Sequence, residues 1–269
     1  MDNVRPTAGT ASPGRGPAGL FRLRPRQVVV GGLLGAFTAA LAAIPGLGFI
    51  PLPFSPAGHA TVLHIPVILA GILEGPVVGG LVGAVFGLFS FLLATLPFFK
   101  DPLIAFGPRI LIGVFAYYAY RLVRQPQARV VVAVVVGLAL GRTIYESGTL
   151  LNARWVDPAY VAGFWGRLFH PLTSSAGVWV VVCGALGLAG AVAAWSVLRG
   201  RNAPPAMAAI VGTLTNTVLV LTLIVVRFKT FTPAMAFFVG LTNGLPEVIL
   251  AVLLVTPVYR GVRAALDRK

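Results

Sequence analysis

Five polar side chains interrupt otherwise apolar stretches of the chain: His64, Arg109, Thr213, Asn216 and Asn243. Their chemistry is that of binding. A guanidinium stays charged and presents a planar fork of donors suited to a carboxylate. The carboxamides of Asn216 and Asn243 and the hydroxyl of Thr213 can both donate to and accept from a small polar molecule. Thr213, Asn216 and Thr217 recur at i, i+3 and i+4, which places them on one helical face. Bland readings stand beside these. Arg109 can be neutralised structurally by Glu247, Asn216 can bridge helices without a ligand, and His64 can be a packed core histidine. Glu247 itself reads as structural.

Covalent and metal chemistry lack their usual signatures. There is no phosphate-cradling P-loop, no GxSxG elbow and no HExxH pair. Cys183 is the single cysteine, so no internal disulfide and no Cys/His metal spacing exist, and neither cofactor nor metal is expected. Asp and Glu number seven, two of them Asp2 and Asp267 near the ends of the sequence. A proton- or metal-coupled carrier usually holds more acids at mid-membrane depth. The chain reads as a binder that borrows its energy source, not as an enzyme. A self-sufficient secondary transporter is the competing reading, with an intramembrane lipid-modifying enzyme behind it.

The elements that position these residues are dictated by composition. Hydrophobic residues make up 57% and charged residues 10% of the 269 positions, where an ordinary soluble domain carries about 25% charged residues. Too little polar surface remains to coat a globule, so lipid is the expected solvent. The net charge of +14 does not form a basic groove interleaved with aromatics, which argues against nucleic acid. A spanning helix needs roughly 20 mainly apolar residues. Eight stretches qualify or approach this: 27–45, 62–73, 77–96, 103–122, 130–145, 176–198, 205–226 and 234–259. The second is short, and the fifth carries Arg142, which pairs with Glu146 at i, i+4. With the first 26 residues cytoplasmic, fourteen of the twenty-one Lys and Arg fall on the cytoplasmic side, as the positive-inside rule requires. Both ends of the sequence are then cytoplasmic. At 1.5 Å per residue, Arg109, Asn243 and Asn216 sit about 10, 15 and 16 Å below the outer ends of their helices, and Glu247 about 21 Å. Polar groups on separate helices at similar depth predict a pocket opening outward.

Four further features carry expectations. Gly31, Gly35, Ala36 and Ala40 on the first span form small-xxx-small pairs that permit close approach of another helix. The uncharged connection 45–59, rich in Pro and Gly, cannot be a regular helix and suits a cap over the pocket. Glu74, in a Glu-Gly-Pro turn, is expected to be solvated. The aromatic residues of 150–175 suit an interfacial anchor.

The run His64 to Pro76 (HIPVILAGILEGP), with Gly79–Gly83 (GGLVG) and Phe86–Leu88 (FGL), resembles the second and third helices of S components of energy-coupling factor (ECF) transporters. Pro108–Gly113 (PRILIG) resembles their fourth helix, Gly212–Thr217 (GTLTNT) the fifth, and Asn243–Glu247 (NGLPE) the sixth. The resemblance covers 27–124 and 205–260 and implies an all-α integral membrane fold of six core helices. Residues 125–204 then form an inserted helical pair with its outer loop, between a disordered basic tail at 1–26 and a cytoplasmic tail at 261–269. It implies capture of a vitamin from outside, pantothenate being favoured by the His-Ile-Pro and Thr-Asn-Thr pieces. It also implies two kinds of partner in the lipid membrane and beneath it: a membrane coupling protein, docked through Gly31, Gly35, Ala36 and Ala40, and two ATPase subunits. Arg109, Asn216 and Asn243, with His64 and Thr213, are the residues it points to for the ligand.

Overall fold

Proline sets the starts of most helices in this chain. It lacks an N–H that the first turn would leave unpaired in any case, and its fixed φ suits that turn. Thus α1 begins at Pro25 (Pro25–Ala43), α3 at Pro76 (Pro76–Leu92), α4 at Pro102 (Pro102–Arg124) and α5 at Pro126 (Pro126–Trp155). The computed structural model describes residues 23–51, 59–157, 159–161, 163–228 and 231–266. Most of the basic N-terminal tail, the centre of the 45–59 connection (52–58) and the last three residues lie outside the described residues.

Between α1 and α2 (His64–Glu74), the connection forms a short antiparallel ribbon of β1 (Phe49–Pro51) and β2 (His59–Thr61), with Phe49 opposite Thr61. Gly75, at φ 102°, makes the reversal from α2 into α3, a backbone conformation that glycine adopts without a Cβ penalty. After α5 come α6 (Phe164–Thr173), α7 (Ala176–Leu198) and α8 (Ala203–Arg227). The last span is not one regular helix: α9 (Pro233–Val239) passes through a π turn at Gly240–Gly244 into α10 (Leu245–Leu266).

The chain is an all-α integral membrane protein. Among the described residues, six helices are long and apolar enough to cross a bilayer: α1, α4, α5, α7, α8 and the α9–α10 unit. Of the eight expected stretches, six fall on these helices, and the other two form the shorter apolar helices α2 and α3. α3, with 17 residues, rises about 25 Å, whereas α2, with 11, rises only about 16 Å. α2 is the central helix, with nine of its eleven residues buried. The ribbon strand β2 leads directly into its first turn. Glu74 is not solvated as expected: its carboxylate accepts from Arg26 Nε at 2.9 Å and is 6% exposed. The expected tail at 261–269 is helical as far as Leu266.

Glycine brings α2, α3 and α4 into backbone contact. A Cβ at Gly71 would lie 2.3 Å from Gly113 O, and one at Gly83 would lie 2.2 Å from Arg109 O. No larger residue fits there without moving a helix. α8 packs on α4, and α10 on α8 and α2, completing a bundle around a core of Val67, Ile68, Val82, Phe86, Ile112 and Val255. The pair α5 and α7 packs chiefly on itself. It meets the bundle through a small cluster of Val123, Ala133, Leu198 and Ala203 at one end. The expected Arg142–Glu146 pair is present on α5.

The bundle has two distinct ends. At one lie the ends of α1, α3 and α8 and the starts of α2, α4 and α9. At the other lie the ends of α2, α4, α7 and α10 and the starts of α1, α5 and α8. Asp101 caps α4 at the first end by accepting from Leu103 N at 2.9 Å, and its other oxygen accepts from Arg227 Nε of α8 at 2.5 Å.

Candidate substrate-binding site

Pro108 lies inside α4 and has no N–H, so the carbonyl of Ile104, four residues earlier, loses its helical donor. Arg109 Nη1 donates to that carbonyl. Its Nη2 donates to Ser90 Oγ of α3 at 3.1 Å, and the rings of Phe86 and Phe99 lie 5.4 Å from the guanidinium carbon. The side chain is thus oriented by a carbonyl that the neighbouring proline exposes and by two aromatic faces. It is 4% exposed, and its Nε has no partner.

Arg109 lines a cavity of about 1000 Å³, mouth included, at the first end of the bundle. Its walls come from α3 (Phe86, Ser90), the α3–α4 connection (Leu93 to Leu96, Phe98, Phe99), α8 (Asn216, Thr217, Val220, Leu221, Ile224) and the last span (Val239, Asn243, Glu247), with Phe49, Thr61 and Phe231 at the rim. Phe98 joins the rim to its neighbours through edge-on contacts with Phe99, Phe228 and Phe231 at centroid distances of 5.1 to 6.1 Å.

Asn243 enters the wall from the π turn. One extra residue per turn shifts the side-chain register there, and π turns are frequent at functional sites. Gly244 permits the approach of α8, since a Cβ on it would lie 3.1 Å from Thr217 Cγ2. Asn216 is 7% exposed and its Oδ1 is unpartnered. A buried carboxamide oxygen without a donor costs free energy unless a ligand supplies one.

Glu247 belongs to the wall, not to a structural pair with Arg109. Its Oε1 accepts from Thr61 N of the ribbon at 2.7 Å. Among the described residues no ion pair joins it to Arg109. The cavity is therefore lined by the Arg109 guanidinium and the Glu247 carboxyl, each engaged by other contacts, and by the carboxamides of Asn216 and Asn243.

The structure brings Arg109, Asn216 and Asn243 together at one wall, but not His64 or Thr213. Both of these are fully buried and neither reaches the cavity. His64 opens α2, whose central place in the bundle encloses its first turn. Thr213 is one turn below Asn216, where Gly212 already meets Ile68 of α2 and the cavity has closed. The small-residue set on α1 divides as well. Gly31 faces inward, where a Cβ would lie 2.8 Å from Val78 Cγ1, and Gly35 points toward Val85. Ala36 and Ala40 are exposed, as is Gly32, so the outward stripe is Gly32, Ala36 and Ala40. The sequence reading missed Ser90, Thr61 and the aromatic sandwich. The available signal was Phe86 and Ser90 at i, i+4, opposite a Pro-Arg pair.

Residues 26–164 match the family described as ECF transporter, substrate-specific component. The matched stretch runs beyond Arg124 and through α5. Over 92 residues the chain is 35% identical to the pantothenic acid transporter PanT of Lactococcus lactis subsp. cremoris, covering 27% of this chain and 45% of that protein. The likeness thus spans less than half the length of that relative.

Proposed function

Because the chain belongs to the substrate-specific components of ECF transporters, we propose that its cavity captures a carboxylate-bearing vitamin, pantothenate first, and hands it to a membrane coupling protein driven by two ATPases. The observation that carries this reading is that Arg109 and Glu247 line one largely apolar cavity without pairing, where Arg109 Nε and Asn216 Oδ1 lack a partner. Pantothenate offers the complementary groups: a carboxylate for the Arg109 fork, hydroxyls that donate to Glu247 and Asn216, and an amide for Asn243. The likeness to a pantothenic acid transporter supports the same choice.

In this reading the cavity end faces outward and both ends of the sequence are cytoplasmic, an orientation supported by the placement of Lys and Arg. The β1–β2 ribbon, tied to Glu247 through Thr61, caps the mouth. His64 and Thr213 brace the wall from behind. The exposed Gly32, Ala36 and Ala40 stripe of α1 is the docking face for the coupling protein, where small side chains let helices approach. Residues 125–204 are an addition to a six-helix core in this reading, a division that the self-contained packing of α5 and α7 supports and that the family match, which extends through α5, does not. Reconstitution distinguishes this from a self-sufficient carrier. Vesicles holding this chain with a coupling protein and ATPases should accumulate labelled pantothenate only with internal ATP. Uptake by the chain alone, driven by an ion gradient, would overturn the proposal.

A further inference from the structure

At the end of the bundle opposite the cavity, arginines from separate segments converge on one cleft. Arg124 closes α4, Arg129 lies in the first turn of α5, Arg201 sits in the turn before α8, and Arg263 lies near the end of α10. These four line one hollow together with Tyr120 and Tyr259. An adjoining hollow shares Arg201, Tyr259 and Arg263 and adds Arg260. The floor is a buried tyrosine pair whose hydroxyls hydrogen-bond to each other, and Arg263 Nε donates to Tyr259 Oη at 3.1 Å. The Tyr–Tyr bond uses one of the two hydroxyl protons and leaves the other to donate.

The excess of positive charge has no internal answer among the described residues. No carboxylate lines either hollow. Glu74 is engaged by Arg26, Asp101 and Glu146 pair with Arg227 and Arg142, Glu247 belongs to the cavity, and Asp157 lies beyond the far end of α5. A general cytoplasmic surplus of Lys and Arg would scatter these residues around the rim. Here they face one another across a concave floor that supplies a hydroxyl.

We propose that this cleft binds a phosphate group, and that an anionic phospholipid headgroup is the source its position favours. Basic pockets between helices at the membrane boundary take such headgroups, and guanidinium forks match phosphate oxygens in pairs. The acyl chains have apolar surface beside the cleft in Val258 and Val262 of α10 and Val130 of α5, all exposed. The site also spans the joint between bundle and extra pair. Arg129 lies at the start of α5 and Arg201 follows α7, Arg124 and Arg263 belong to the bundle, and a small apolar cluster around Val123 and Leu198 joins the two. A bound phosphate would fix the angle of the pair by bridging the two.

The test is native mass spectrometry of the full chain in detergent, titrated with phosphatidylglycerol, phosphatidylcholine or inorganic phosphate. One phosphatidylglycerol should be retained in preference to phosphatidylcholine. Arg124→Gln/Arg201→Gln/Arg263→Gln should weaken it about 100-fold, roughly fivefold for each arginine removed. The corresponding triple Lys variant, which keeps the charge, should retain most of the binding, and Arg121→Gln, outside the cleft, should change nothing. Inorganic phosphate that competes with the lipid supports the phosphate site and assigns free phosphate as a second source. Equal retention of both lipids, or unchanged binding in the triple Gln variant with its folding verified by thermal unfolding, would overturn the proposal. So would a triple Gln variant that loses only the coupling protein, since the cleft would then be a partner contact.

Discussion

Replacing Arg109 by glutamine removes the one cation that the described residues place at the cavity wall while keeping a polar side chain. In the wild-type protein the guanidinium uses Nη1 on Ile104 O and Nη2 on Ser90 Oγ, leaving Nε and the second protons of both Nη atoms. Two of these can meet a carboxylate. Charge-assisted hydrogen bonds contribute about 1.5–3 kcal/mol each. The guanidinium is already desolvated by the protein, being 4% exposed, so ligand binding carries little further desolvation cost on that side. A loss of about 3 kcal/mol is expected, roughly 150-fold in affinity. The assay is titration calorimetry with pantothenate and with pantothenol, in which the carboxylate is replaced by an alcohol. Wild type should prefer the carboxylate by about two orders of magnitude, and Arg109→Gln should abolish that preference while barely altering pantothenol binding. A variant that still prefers the carboxylate as wild type does would refute the assignment of Arg109 to the ligand.

Two other perturbations follow from packing. Gly83→Ala places a Cβ 2.2 Å from Arg109 O, whereas at Gly32 nothing lies within 4 Å. The first should destabilise by about 1–3 kcal/mol through overpacking and displace Arg109. The second should be neutral or slightly stabilising, and thermal unfolding in detergent compares them directly. Equal stability of the two variants would contradict the backbone contact between α3 and α4. Ala36→Trp and Ala40→Trp add bulk on the exposed face of α1, away from the cavity. Pantothenate binding should stay within about twofold while ATP-driven uptake falls about tenfold or more, because close helix approach is blocked. Normal uptake would remove α1 as the docking face.

The membrane class and the polar residues at mid-depth were legible because an apolar solvent leaves few reasons for an arginine inside a helix. Arg109, Asn216 and Asn243 therefore stood out, and they meet at one wall. Depth counting could not decide which way a side chain faces. Thr213 shares a stripe with Asn216 yet lies below the floor, and His64 is enclosed because α2 runs through the centre of the bundle. Gly31 and Ala36 looked equivalent as small residues, but only packing against α3 separates inward from outward. Glu247 read as structural, with Arg109 as its possible partner although it lies deeper. Its partner is the Thr61 backbone, contributed by a ribbon whose pairing no periodicity announces. The π turn at Gly240–Gly244 was likewise hidden within a continuous apolar run.

Native mass spectrometry of the gently purified protein tests the central claim most directly. The chain should carry one small carboxylate whose mass matches pantothenate, and Arg109→Gln should arrive empty from the same preparation. A protein that arrives without any vitamin and takes up none on titration, or one whose bound vitamin survives the loss of Arg109 undiminished, would contradict the account.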